Sequence, residues 1–156
     1  MRRSVVVALL ALPLLATAFD LQGHRGARGL APENTLAAFR AAIVLGVDTL
    51  ELDTGVTKDG VLVVMHDSRL NPKLTRDAAG QWIGAPGPAI HGLSLAELQR
   101  HDVGRLQPGT DYARGLPEQQ PADGQTVPTL GAVFDLGAAA GNELVATVRE
   151  GKKRDQ

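Results

Sequence analysis

Apolar residues along this chain keep two rhythms. Leu36, Phe39 and Ile43 recur at helical spacing behind Asn34-Thr35, either of which can cap a helix, and Gly46 is a natural stop. From Val47 to Asp53 the period shortens to two, with Leu50 and Leu52 facing one way and Glu51 and Asp53 the other, as in a strand. Upstream, the short run Phe19 to Gln22 predicts a brief strand that ends in the glycine-flanked loop Gly23-His24-Arg25-Gly26. Strand, helix and strand in that order form a βαβ opening, which favours a parallel sheet.

Farther on, Asp59-Gly60 is a hairpin signal between two apolar runs. A two-residue turn there sets Lys58 against Val61 and places Asp53 opposite His66, and a three-residue turn shifts this by one position. Residues 68–126 are rich in glycine, proline and polar groups and read as a long inserted loop, the kind that in compact domains is usually functional. Within it, Ser94-Leu95-Ala96-Glu97 is a capping box that predicts one short helix leading into Leu98. Pro128-Thr129 then starts a helix carrying Leu130, Val133, Phe134 and Leu136, Gly141-Asn142 ends it, and Leu144 to Val148 is a third candidate strand.

The first residues follow a different logic. Arg2-Arg3 precedes the apolar run Val5 to Ala16 and the small-x-small triplet Ala16-Thr17-Ala18, which is the layout of a cleaved signal peptide, 1–18. The run is short for a membrane span, which needs about 20 apolar residues. Cleavage before Phe19 removes two positive charges, taking the formal charge from -1 to -3, and implies an exported protein, periplasmic or extracellular. No stable membrane span is expected afterwards. The near-neutral balance and the lack of a polybasic run give no basis for a nucleic-acid partner. Cysteine is absent, which excludes disulfides, thiolate metal sites and cysteine nucleophiles.

The predicted strand ends concentrate the chemistry. Glu51 and Asp53 leave one face of their strand side by side, where they would repel each other unless solvated or neutralised. A hard divalent cation, Ca2+ or Mg2+, resolves that conflict because such ions take oxygen ligands. The hairpin returns His66 towards this pair, where a neighbouring charged centre can tune it for proton transfer near neutral pH. His24 and Arg25 add a second imidazole and a planar guanidinium suited to phosphate, with glycines on both sides for close approach. Active residues at the ends of consecutive parallel strands are the habit of α/β barrels.

His24-Arg-Gly, Pro32-Glu-Asn-Thr35, Glu51-Leu-Asp53, Thr57-Lys-Asp-Gly60 and His66-Asp67 resemble, in order and spacing, the glycerophosphodiester phosphodiesterases. Val127-Pro-Thr-Leu130 looks like that family's return from its insertion, so the resemblance runs from about Leu21 to Lys152. It implies an α/β fold of the TIM-type (β/α)8 barrel family with an inserted cap-like loop. The implied activity is metal-dependent hydrolysis of small-molecule glycerophosphodiesters to glycerol 3-phosphate and an alcohol. By the same resemblance His24 and His66 form the acid/base pair, Arg25 holds the phosphate, and Glu51 and Asp53 bind the divalent metal, Ca2+ or Mg2+. The family's third metal carboxylate, in a Glu-Thr-Lys run, falls here on Glu150-Gly-Lys152, which makes Glu150 a ligand and Lys152 a substrate contact.

A complete (β/α)8 barrel takes roughly 250 residues, whereas the chain without its leader has 156 less 18, or 138. Residues 19–156 are therefore expected to be a partial domain, truncated after about the third strand with 68–126 as its insertion. Two alternatives stay open: an inactive relic or exported binding module, and a related phospholipase-type phosphodiesterase.

Overall fold

The computed structural model describes residues 19–148; the expected leader 1–18 and the expected site residues Glu150 and Lys152 lie outside them. The chain runs β1 (Gln22–His24), α1 (Leu36–Val44), β2 (Thr49–Val56), β3 (Leu62–Val64), α2 (Leu95–Leu98), α3 (Asp111–Arg114), α4 (Leu130–Ala140) and β4 (Glu143–Val148). The expected βαβ opening is present, with β1 parallel to β2 and Gln22, Gly23 and His24 opposite Thr49, Leu50 and Glu51. The first strand begins later than its apolar run predicted, so His24 lies within the strand rather than in the loop after it. On the other side of β2, β4 pairs in parallel from Thr49↔Glu143 to Thr54↔Val148.

The hairpin takes the three-residue turn of the two that the sequence left open, one position away from the two-residue register. Thr54 faces Val64 and Val56 faces Leu62, so Asp53 falls opposite Met65, whose backbone N–H donates to the Asp53 carbonyl at 2.9 Å. The turn has three residues, Lys58 to Gly60, because Thr57 closes it: its N–H donates to the Val61 carbonyl at 3.0 Å and its Oγ1 accepts from the Val61 N–H at 2.9 Å. Gly60 takes the left-handed position (φ 80) that such a turn demands. Since Thr54 also pairs with Val148, β3 and β4 flank β2 on opposite edges. The sheet does not close on itself.

Two cores meet at this sheet. Phe39 and Ala42 of α1 and Val133 of α4 pack on Leu50, Leu52 and Val64. The second core lies under the insertion and gathers Val63, Met65, Leu70, Ile90, Leu98, Val103 and Val127. Period-two alternation therefore sends Val64 into one core and Val63 into the other. The insertion is folded rather than loose, and it holds more structure than the one helix predicted: a 3-10 turn at Ile90–Gly92 and the helix α3 as well. The Ser94 capping box of α2 forms as read. Thr35, not Asn34, caps α1, its Oγ1 accepting from Ala38 N–H at 3.2 Å, a contact worth about 1 kcal/mol.

Candidate active site

The site grows from the loop between β1 and α1. Arg25 leaves the strand in the left-handed region (φ 53) and Gly26 follows at φ 80, a turn that costs about 1–2 kcal/mol at the arginine. That turn aims the Arg25 backbone N–H at Glu51, to whose Oε2 it donates at 2.9 Å. The Arg25 side chain runs inward, where Nη1 donates to Glu33 Oε1 at 2.8 Å and Nε lies 3.4 Å from Asp53 Oδ2. Asp53 sits almost fully enclosed, its side chain 3% exposed, beside that guanidinium. His24 stands opposite Glu51 across the strand pair, with Nε2 3.9 Å from Glu51 Oε2 and a side chain 58% exposed. Sequence reasoning thus named four residues, His24, Arg25, Glu51 and Asp53, that the fold brings into one connected group.

His66 lies one residue beyond the position predicted for it, just past the end of β3. Its Nδ1 meets Asp67 Oδ1 at 2.7 Å, and Asn71 Nδ2 steadies the other Asp67 oxygen at 3.1 Å. With Nδ1–H donating to the carboxylate, Nε2 is the nitrogen left to exchange a proton. His66 faces a small cavity of about 20 Å3 that it shares with Glu33, Asn34, Met65 and Asp67. It reaches the β1–α1 loop through that cavity rather than through a ladder pair with Asp53.

The donor chemistry suits a hard cation. Glu51 and Asp53 offer only oxygen, from alternate positions of one strand. Arg25 and Arg28 against Glu33, Glu51 and Asp53 give a formal local charge of 2 - 3 = -1, so an anionic substrate would meet net repulsion without a further cation. Among the described residues no three His, Asp or Glu side chains gather around one ion position; the third expected carboxylate, Glu150, lies outside them.

Four contributors escaped the sequence reading as site residues. Glu33, nearly buried, forms an ion pair with Arg28, Nε lying 2.8 Å from the oxygen that accepts from the Tyr112 hydroxyl. Asp67 orients His66, and their adjacency in the chain was signal enough to find it. Asn34, 3% exposed and left-handed (φ 56), lines the His66 cavity with both polar atoms of its amide unpaired among the described residues. Tyr112 comes from α3 in the insertion, 79 residues from its partner Glu33, and no local pattern announces it.

Comparison with known proteins gives the family and the fold. The model of the glycerophosphoryl diester phosphodiesterase family matches residues 24–151. A glycerophosphodiester phosphodiesterase of Caldanaerobacter subterraneus subsp. tengcongensis is 36% identical over 113 residues, 72% of this chain and 38% of that protein. Among solved structures, a Silicibacter pomeroyi protein provisionally assigned as a glycerophosphoryl diester phosphodiesterase superposes with a TM-score of 0.82 at 38% identity, covering 86% of this chain and 46% of the other. An Oleispira antarctica phosphodiesterase, solved with the product sn-glycerol-3-phosphate, superposes with a TM-score of 0.61 at 27% identity, covering 83% and 44%. The chain spans less than half the length of each of these relatives. Its parallel α/β sheet, open along its edges, matches part of their fold, and the chain belongs to the glycerophosphoryl diester phosphodiesterase family.

Proposed function

We propose that this chain carries the phosphate-binding and acid/base half of a metal-dependent phosphodiesterase that converts glycerophosphodiesters to glycerol 3-phosphate and an alcohol. The observation that carries the reading is the setting of Arg25: a largely enclosed guanidinium, held by Glu33, lying against the Asp53 carboxylate and joined through its backbone to Glu51. A buried arginine set among Glu51 and Asp53 of β2 and Glu33 of the β1–α1 loop is an arrangement for receiving an anion together with a cation.

In this reading Arg25 grips a phosphoryl oxygen and Glu51, Asp53 and Glu150 hold Ca2+ or Mg2+. Bound there, the ion supplies positive charge to the phosphoryl oxygens as they gain electron density. The glycerol 2-hydroxyl attacks phosphorus while one of the two histidines, His24 or His66, takes its proton and the other protonates the departing alkoxide. Water then opens the cyclic phosphate with the proton roles reversed. Asp67 keeps the His66 ring oriented. Lys152 adds a second cation at the substrate. The apolar leader, 1–18, supports export to the periplasm or the exterior, and N-terminal sequencing of the exported form should begin at Phe19.

The test is release of glycerol 3-phosphate from glycerophosphocholine with Ca2+ or Mg2+, with and without chelator. Turnover should depend on the metal, and His66→Ala or His24→Ala should lower kcat by ~100-fold or more. Turnover that ignores both chelator and the histidine changes would sink the reading. Folded protein that binds glycerol 3-phosphate without any turnover would point instead to an exported binding module.

A further inference from the structure

Glu33 is the meeting point of two parts of the molecule that otherwise serve different purposes. Its Oε1 accepts from Arg25 Nη1 at 2.8 Å. Its Oε2 accepts from the Tyr112 hydroxyl and forms an ion pair with Arg28, whose Nε lies 2.8 Å away. The Arg28 guanidinium also stacks over the Tyr112 ring, 5.1 Å from its centre, so the phenol is held from its edge and its face. Burial first, and the bond to Glu33 second, push the Tyr112 pKa well above its ordinary value, and the hydroxyl remains a donor across the physiological range.

The insertion reaches this loop at further points. Gln119 Nε2 donates to the Arg28 carbonyl at 2.7 Å, the Gln120 N–H donates to the Leu30 carbonyl at 2.8 Å, and Gln125 Oε1 accepts from the Ala37 N–H at 3.1 Å. The segment from Tyr112 to Gln125 is thereby fastened along the turn that carries Arg25, and Tyr112 is its one side chain that touches the carboxylate gripping that arginine.

We propose that Glu33 and Tyr112 form a positioning relay: Glu33 aims the Arg25 guanidinium at the phosphoanion, and Tyr112 fixes Glu33, so that the inserted segment sets how tightly phosphate is held. The relay rests on the phosphodiester reading of Arg25. A carboxylate with one oxygen on Arg25 and the other anchored by Arg28 and Tyr112 cannot follow the arginine as it swings, which leaves the guanidinium pre-ordered and its remaining N–H groups directed to ligand. Removing the phenol oxygen leaves Arg28 as the remaining anchor on that carboxylate oxygen and loosens the arginine without altering any group that touches ligand.

Tyr112 is the chain's single tyrosine, so its near-ultraviolet band, resolved in the derivative spectrum from that of the single tryptophan, Trp82, reports this contact. The experiment titrates the full chain, with Mg2+ present throughout, with sn-glycerol 3-phosphate, and separately with inorganic phosphate, while following both heat and the tyrosine band. Wild type should bind with a change in the tyrosine band. Tyr112→Phe should weaken binding about threefold and Glu33→Gln about tenfold, and in Glu33→Gln the ligand that still binds should leave the tyrosine band unmoved. Glu33→Asp, which retains the charge, should recover part of the loss; this separates positioning from folding if Glu33→Gln is poorly folded. Binding to wild type with a silent tyrosine, or undiminished affinity in Tyr112→Phe, overturns the relay alone. Failure of wild type to bind either anion overturns the relay and the phosphodiester reading together.

Discussion

Gly26 and Gly46 share a backbone conformation, φ 80 and φ 76, but not a neighbourhood. A Cβ at Gly26 would stand 2.7 Å from the Ala38 carbonyl carbon and 2.8 Å from the Phe39 nitrogen, whereas at Gly46 it would meet nothing. Alanine at position 46 should cost only the left-handed strain, about 1 kcal/mol. Alanine at position 26 should cost that and a backbone collision, about 3 kcal/mol or more, read as the larger drop in urea midpoint at unchanged slope. Equal drops would show that α1 can back away from the loop. The same loop marks how far single residues were legible. His24, Arg25, Glu51 and Asp53 could be named because their types and spacing carry chemistry within short reach of each other. Glu33 lay inside a recognised motif without an assigned role, since a carboxylate that serves another side chain leaves no mark in spacing. Tyr112 was out of reach because its partnership exists only once the insertion has folded back.

Between elements, the hairpin is pinned to the insertion by one carboxylate. Asp59 Oδ1 accepts from Thr57 Oγ1 at 2.6 Å and from the Leu95 N–H at 3.0 Å, while the Lys58 N–H reaches the Leu93 carbonyl at 2.8 Å. The Thr57 hydroxyl foremost, with help from the backbone amide of Leu95, lowers the Asp59 pKa from its usual 3.8. A lowered folded pKa means the charged form is favoured in the native state, so its contribution is present above the ordinary carboxylate range and lost as pH falls through the folded value. The Leu95 amide resonance should therefore titrate on the acid side of pH 3.8, and Asp59→Asn should leave it flat. A Leu95 resonance in the wild type with no acid transition would show that Asp59 does not hold this junction. The Asp-Gly pair announced this hairpin but could not give its loop length, because two- and three-residue turns both want glycine there. Thr57 decided it by closing the turn with main chain and side chain, which moved the expected partner of Asp53 from His66 to Met65. By contrast, the helix ends at Thr35 and Ser94 were readable because capping is local chemistry.

At the scale of the molecule, the outer edge of β1 borders a groove of about 540 Å3, lined in part by Leu21, Leu30, Leu45, Val47 and Leu116. Leu45 is 57% exposed there. A fluorescent dye for apolar surface should bind the folded chain at this groove, and Leu45→Lys should reduce the signal without lowering the melting temperature. A signal that persists unchanged would place the exposed apolar surface elsewhere. No helix among the described residues is long and apolar enough to cross a membrane. The parallel order of β1, β2 and β4 was readable from the alternation of strand and helix patterns, but the second core was not: its members are scattered from Val63 to Val127 without a common period. Placing Val63 and Val64 on opposite sides of β3 makes that strand a party wall between two tenants. Neither can be renovated alone. An insertion transplanted from a relative would have to bring the matching face of its own hairpin, so in this family the cap and the wall it leans on are expected to be inherited as one unit.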